Sequence, residues 1–279
     1  MNLLATVQSI NNPILQALAA GLFTWTLTAC GALLVFFFKK DNQKILDCSL
    51  GFTGGVMVAA SFWSLLAPSI NYTQMQNDLG LSSTPVWVPS SVGFFLGAAF
   101  LYALDKIIPH LHINSPVSEA EGMQTQWNKT ILLVLAITLH NIPEGLAIGV
   151  AFGALAHNIQ GFEIGGAVAL ALGIGIQNFP EGFAVAMPLR RQKIPKLTCF
   201  WWGQLSAVVE PFAAVLGAAA VMYMLPILPY ALAFAAGAMM FIVVEEVIPE
   251  SQRSGYADQA TMGFVLGFIV MMILDVSLG

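Results

Sequence analysis

The sequence predicts an all-α membrane protein with eight transmembrane helices, and its composition and the length of its apolar segments carry that prediction. Of the 279 residues, 57% are hydrophobic and 9% are charged, and the mean hydropathy is +0.78. A helix needs about 20 mostly apolar residues to cross a bilayer. Segments of that length occupy approximately residues 14–38, 46–69, 86–105, 130–155, 163–188, 197–222, 228–248 and 259–278. The connections are short, so residues 1–279 are predicted to form a single polytopic domain.

The positions of the basic residues predict how the chain is oriented in the membrane. They fall in alternate connections, after the first, third, fifth and seventh predicted spans: Lys39, Lys40, Lys44, Lys106, Lys129, Arg190, Arg191, Lys193, Lys196 and Arg253. Short loops rich in Lys and Arg stay in the cytoplasm during insertion. We therefore expect both termini to be extracytoplasmic, in a plasma membrane or bacterial inner membrane.

Charge and cysteine content exclude several other classes of protein. The formal net charge is −5, and the sequence contains neither a basic groove motif nor a glycine-rich phosphate loop, which excludes nucleic acid as a partner. Cys30, Cys48 and Cys199 are too few and too widely spaced for a disulfide framework or a zinc finger. We expect no organic cofactor, and the lipid bilayer is the expected surrounding.

Two short motifs inside apolar sequence resemble each other. The fourth predicted span contains His-Asn-Ile-Pro-Glu-Gly at 140–145, and the fifth contains Gln-Asn-Phe-Pro-Glu-Gly at 177–182. An acid at membrane depth is costly unless it meets a partner or an ion, so such acids usually mark functional sites. Consecutive spans cross the membrane in opposite directions, and inverted elements of this kind place transporter substrates near the midplane. The pair therefore predicts a cation site halfway through the bilayer.

Helix geometry predicts what each motif presents to that site. With successive residues about 100° apart, Glu144 lies between His140 and Asn141. The corresponding residues of the second motif are Glu181, Gln177 and Asn178. When the two motifs face each other, the carboxylates become central and the other side chains flank them. This layout suits two adjacent cations with bridging carboxylates.

Prolines and a third acid extend the predicted site. Pro143 and Pro180 lack an N–H and leave a helix carbonyl without its partner, so we expect both spans to be kinked around the site. Glu210, followed by a proline, lies in the middle of the sixth predicted span with no charged neighbour. Contact with the predicted cations would compensate the free-energy cost of burying this acid, so Glu210 is a predicted third carboxylate ligand. Met57, in a small-residue run of span two, offers a thioether, although the sequence alone favours a core or lipid-facing methionine.

These motifs resemble the ZIP (Zrt/Irt-like) family of divalent metal transporters, in its GufA-like branch, over essentially the whole chain. The resemblance implies a binuclear metal centre on the transport path. One metal would be held by His140, Glu144, Gln177, Glu181 and Glu210, and the other by Asn141, Glu144, Asn178, Glu181 and Glu210. Met57 matches a family position beside the second metal. Members of the family are often dimeric, which leaves both a monomer and a homodimer open.

A second group of metal-ligating residues lies at the predicted cytoplasmic side. It comprises His110 and His112 on the longest loop, and Glu245, Glu246 and Glu250 at the end of span seven. These residues could form an exit site, and loops of this kind in the ZIP family are associated with metal release or regulation. A solvated loop fits the histidines equally well.

The expected function is transport of a divalent metal into the cytoplasm by alternating access, without catalysis. Nitrogen and oxygen ligands without thiolate suit zinc first, and also cadmium, iron or manganese. An intramembrane metal-dependent hydrolase is the alternative, because a metal held by His and Glu can activate water. The chain has no His-Glu-x-x-His motif and no Ser or Cys nucleophile beside a His. A carrier coupled to protons or organic solutes is a second alternative.

Overall fold

The computed structural model describes residues 3–37, 43–111, 121–123, 125, 129–191 and 193–278, and these are largely helical. Eight helical segments are long and apolar enough to cross a membrane. Their bounds are Pro13–Phe36, Gln43–Asp78, Trp87–Ile107, Thr130–His157, Ile164–Arg190, Lys196–Tyr223, Leu225–Gln252 and Ala257–Leu278. We number them spans one to eight. Their number agrees with the eight spans that the sequence predicts.

Two helical segments go beyond the predicted boundaries. A short helix, Leu3–Gln8, precedes span one, and the side chain of Gln16 donates to the carbonyl oxygens of Val7 and Ile10 where the chain enters that span. Span two continues to Asp78, nine residues beyond its predicted end at 69. Its last two turns are polar and continue the helix beyond the apolar segment. A search for apolar segments of about 20 residues detects only the part of a helix that lies in lipid, so it misses such a polar extension.

Spans two and seven each contain a π-helical segment followed by a proline. Residues Ser61–Leu66 precede Pro68, and residues Val243–Val247 precede Pro249. Proline has no N–H to donate to the carbonyl four residues earlier. The hydrogen bond before Pro249 instead joins the N–H of Ile248 to the carbonyl of Val243, five residues back. π-helical segments often mark functional sites, and the one in span seven carries Glu245 and Glu246.

Spans one, four, five and six approach one another closely through glycines. A Cβ added to Gly182 in span five would lie 2.0 Å from the carbonyl oxygen of Thr28 in span one. A Cβ added to Gly149 in span four would lie 2.2 Å from the carbonyl oxygen of Ala214 in span six. Such contacts require glycine, as is common where membrane helices pack tightly. We call these four helices the inner group.

Spans two, three, seven and eight form a corresponding outer group. A Cβ on Gly55 of span two would lie 1.9 Å from the carbonyl oxygen of Phe264 in span eight. A Cβ on Gly97 of span three would lie 1.9 Å from the carbonyl oxygen of Phe234 in span seven. The two groups meet beside Gln177 of span five, whose backbone carbonyl is 3.4 Å from the Thr53 hydroxyl of span two.

Candidate metal centre

Three glutamates from three different spans meet in the interior of the protein. Glu144 of span four is 1% exposed, Glu181 of span five is 7% exposed and Glu210 of span six is fully buried. Spans four and five run helically through Pro143 and Pro180. All three acids are thus buried inside the protein within helical segments that are long and apolar enough to cross a membrane. The predicted kinks at the prolines stay a prediction.

Each carboxylate receives a hydrogen bond from an amide on a neighbouring span. Gln177 Nε2 donates to Glu144 Oε1 at 2.5 Å, and Asn141 Nδ2 donates to Glu181 Oε1 at 3.1 Å. The third amide is that of Asn178, whose Nδ2 donates to Glu210 Oε1 at 2.8 Å. The two motifs therefore interlock across the pair of spans, as the facing arrangement of the sequence predicts.

Buried oxygen atoms that lack donors remain at the centre of this network. Among the residues that the structure describes, four such oxygens are Asn141 Oδ1, Glu144 Oε2, Gln177 Oε1 and Asn178 Oδ1. A buried polar atom without a partner costs free energy, so nearly all such atoms in native proteins are satisfied. Carboxylate and amide oxygens are ligands for hard and borderline divalent cations. A bound cation is one kind of partner that could satisfy buried oxygens of this type.

A break in span six places Glu210 in this network. The span consists of helices Lys196–Leu205 and Val209–Tyr223, and the turn between them precedes Glu210 directly. The backbone carbonyl of Ser206, in that turn, accepts a hydrogen bond of 3.2 Å from Asn141 Nδ2. The turn thus contacts span four while Glu210 contacts span five.

Thr24 is a contact of this centre that the sequence does not reveal. Its hydroxyl, on span one, donates to Glu210 Oε2. A threonine in an apolar helix gives no signal in a single sequence, because threonines commonly bond to their own helix backbone. Only the packing of span one against span six brings the two residues together.

His140 contacts an acid of span seven. Its Nε2 lies 2.5 Å from Glu246 Oε1 of span seven, across the seam between the two helix groups. Met57, 1% exposed, lines the same cavity as His140, Glu144 and Glu181. The structure therefore places His140 between the buried carboxylates and the acids of span seven.

A cavity of about 440 Å³ leads from the buried glutamates to one end of the protein. It is lined by Glu144 and Glu181 at its inner end and by Glu245, Glu246, Glu250 and Arg253 towards the end of span seven. That end carries the basic connections, since Lys196 Nζ bonds the carbonyl of Phe36 and Gln43 bonds Ser254 there. We call it the basic end, and it is the predicted cytoplasmic side.

The residues predicted to form the exit site lie in two separate places. The three glutamates of span seven line the cavity, whereas His110 lies against Asp105 and Glu121, with potential ligand atoms all within 4.8 Å of one another. Lys106 Nζ bridges the two acids of this cluster at 3.1 and 3.2 Å, as an interfacial ion pair would. His112 lies outside the described residues.

Comparison with known proteins identifies the family. A model of the family described as "ZIP Zinc transporter" matches residues 112–275. The chain belongs to the ZIP zinc transporter family. This ZIP protein is 41% identical to zinc transporter ZIP11 of Xenopus tropicalis, over 96% of the chain and 98% of the relative. It is also 41% identical to human ZIP11 over 96% and 99% of the two chains, and 37% identical to zinc transporter GufA of Myxococcus xanthus over 94% and 98%.

Membership establishes the general function and confirms the predicted one. This ZIP protein is a multi-pass membrane protein that transports zinc across the membrane, and it is not an enzyme. The intramembrane hydrolase is therefore excluded.

Proposed function

We propose that the three buried glutamates and their amide partners bind the transported divalent metal at the membrane midplane. The observation that carries this proposal is that four buried oxygens of the two motifs have no hydrogen-bond donor in the described part of the chain. The carboxylates Glu144, Glu181 and Glu210 supply negative charge, and an amide already orients one oxygen of each. Bridging carboxylates would hold two adjacent ions, with Met57 beside the second.

Release into the cytoplasm is the direction that the cavity supports. It joins the glutamate centre to the basic end through Glu245, Glu246 and Glu250, which would receive the ion after it leaves His140. Towards the opposite end, the fully buried side chains of Ile148, Ile174 and Met239 fill the space between the spans. In the proposed orientation, the cavity opens towards the cytoplasm and these side chains lie between the glutamates and the outside.

Alternating access would then involve movement of the inner group against the outer group. Backbone-to-backbone contacts at glycines hold each group together, as at Gly182 and Gly55. The contacts across the seam near the centre are side-chain contacts, such as His140 with Glu246. Side-chain contacts can be exchanged at a lower cost than tightly packed backbones can be separated.

Zinc is the proposed physiological cargo, with cadmium, iron and manganese as weaker candidates. The ZIP11 and GufA relatives are named as zinc transporters. The donor set of carboxylate, amide, imidazole and thioether contains no thiolate, which agrees with zinc and also admits the other three metals. We place this protein in the plasma or inner membrane with both termini outside, and we leave monomer or homodimer open.

The decisive experiment measures zinc flux and metal position together. Purified protein in liposomes should accumulate radiolabelled zinc, and excess unlabelled cadmium should compete with it. Crystals soaked in zinc or cadmium should give anomalous density between Glu144, Glu181 and Glu210. Zinc uptake combined with no anomalous density between the three glutamates would contradict the proposed metal centre. It would not contradict zinc transport by this protein.

Access to the cavity gives a further prediction. In a chain whose native Cys30, Cys48 and Cys199 are replaced by serine or alanine, Glu250→Cys should react with a membrane-impermeant thiol reagent from the cytoplasmic side. The attached group should slow zinc uptake, because Glu250 lines the route. Asp258→Cys, exposed at the start of span eight, is the control: it should react equally well without slowing uptake. Reaction of Glu250→Cys from the outside alone would contradict the proposed orientation.

A further inference from the structure

Thr24 and Asn178 donate hydrogen bonds to the two different oxygens of the Glu210 carboxylate. Thr24 is fully buried, and its hydroxyl donates to Glu210 Oε2. The other oxygen, Oε1, accepts from Asn178 Nδ2 at 2.8 Å. Span one and span five therefore hold the two oxygens of one carboxylate, and together they fix its rotation about the side-chain bonds.

The hydroxyl of Thr24 has a second acceptor within reach, which is the carbonyl oxygen of Gly21 at 3.0 Å. A hydroxyl carries a single hydrogen. Hydrogen bonds to charged acceptors are stronger than those to neutral carbonyls. When a bound cation keeps Glu210 ionised, its carboxylate is therefore the preferred acceptor, and the bond to Gly21 is secondary.

The backbone of span one is placed to make this contact. A Cβ added to Gly21 would lie 2.8 Å from Cα of Pro211, so spans one and six touch directly beside Glu210. The next residue after Thr24 makes a second contact: Trp25 Nε1 donates at 2.9 Å to the carbonyl oxygen of Gln204, just before the break in span six. Thr24 and Trp25 thus bond to span six on both sides of its break.

We infer that Thr24 is the positioning residue of Glu210, which holds that carboxylate in its metal-binding orientation and thereby sets the affinity for the transported ion. This inference rests on the proposed role of Glu210 as a metal ligand. Residues that orient ligands commonly change metal affinity about 10- to 100-fold when they are replaced. Thr24 does not need to touch the metal to have this effect.

The test replaces the hydroxyl without changing the shape of the side chain. Thr24→Val should raise the KM for zinc uptake in proteoliposomes by about tenfold or more, with a smaller change in maximal rate. Thr24→Ser restores the hydroxyl and should return KM to within about threefold of the unmodified protein, since only a methyl group is lost. Thr28→Val is the matched control, because Thr28 is also fully buried one turn further on, and its hydroxyl bonds the carbonyl of Thr24 at 3.4 Å. It should leave KM unchanged.

A double-mutant cycle separates positioning from general damage to the fold. Zinc binding to purified protein, measured by calorimetry, should weaken in Thr24→Val but should not weaken further when the same change is made in Glu210→Ala. A Thr24→Val protein with unchanged KM, an equal effect of Thr28→Val, or a full additional loss in the Glu210→Ala background would each overturn the inference. If Glu210→Ala itself binds zinc normally, the assignment of Glu210 as a ligand fails, and the inference fails with it. A wild type without zinc uptake would overturn the proposed transport site as a whole.

Discussion

Replacing Glu144 or Glu181 by glutamine should reduce zinc uptake at least about 100-fold, because we propose both as metal ligands and a ligand should matter more than the outer-shell groups, whose loss costs about 10- to 100-fold. Glu144→Gln and Glu181→Gln remove a negative charge but keep an oxygen that can accept the hydrogen bond from Gln177 or Asn141. The measurement is the initial rate of radiolabelled zinc uptake into proteoliposomes at equal protein content.

The Glu144→Gln and Glu181→Gln variants should remain folded. Measuring their thermal stability therefore distinguishes a loss of zinc binding from a loss of structure. A neutral amide is less costly in the membrane interior than an uncompensated carboxylate. The midpoint of thermal unfolding in detergent without metal should therefore be no lower than that of the unmodified protein. Zinc should raise this midpoint in the unmodified protein but not in the variants, since ligand binding to the folded state stabilises it.

Asp258→Asn provides the matched control for the loss of one negative charge. Asp258 is exposed at the start of span eight, away from the cavity lining. The rate of zinc uptake by the Asp258→Asn variant should equal that of the unmodified protein. Uptake by Glu144→Gln or Glu181→Gln at more than about a tenth of the normal rate would rule out these carboxylates as essential ligands.

The second large effect concerns the packing of the outer helix group. Gly55→Ala should lower the midpoint of thermal unfolding in detergent by roughly 5–10 °C, because overpacking a tight contact costs about 1–3 kcal/mol. The added Cβ would lie 1.9 Å from the carbonyl oxygen of Phe264, and a backbone atom cannot rotate away. Spans two and eight would have to move apart.

The neighbouring glycine supplies the control. A Cβ on Gly54 would meet Cγ1 of Val247 at 3.2 Å, a side-chain atom that can shift by a few tenths of an ångström. Gly54→Ala should therefore change the unfolding midpoint by about 2 °C or less. Equal effects of the two substitutions would show that helix propensity, and not the contact with Phe264, decides the outcome.

Much of the fold could be predicted because lipid imposes strict rules on sequence. Only long apolar helices can satisfy their backbone in hydrocarbon, so the eight spans could be identified and are confirmed. The same cost of charge in lipid singles out Glu144, Glu181 and Glu210, all of which are buried. The polar end of span two and the helix Leu3–Gln8 lie beyond the apolar segments, where this rule gives no information.

The contacts of the candidate site could be predicted only where a motif repeats. Interlocking of the two motifs follows from their likeness, and the amides of Asn141 and Gln177 do bond the opposite glutamates. The orientation of His140 towards Glu246 and the contact of Thr24 with Glu210 join spans that share no motif. Their pairing depends on how the helices pack.

The sequence alone determined the membrane class, the eight spans and the acids buried within them, because the free energy of placing each side chain in lipid depends on that side chain and its immediate neighbours. Tertiary structure decided which spans pack together through glycine, which buried oxygens remain without donors and where the cavity opens. These properties depend on contacts between residues far apart in the chain, where the fit of backbone and side chains selects among many arrangements of equally apolar helices.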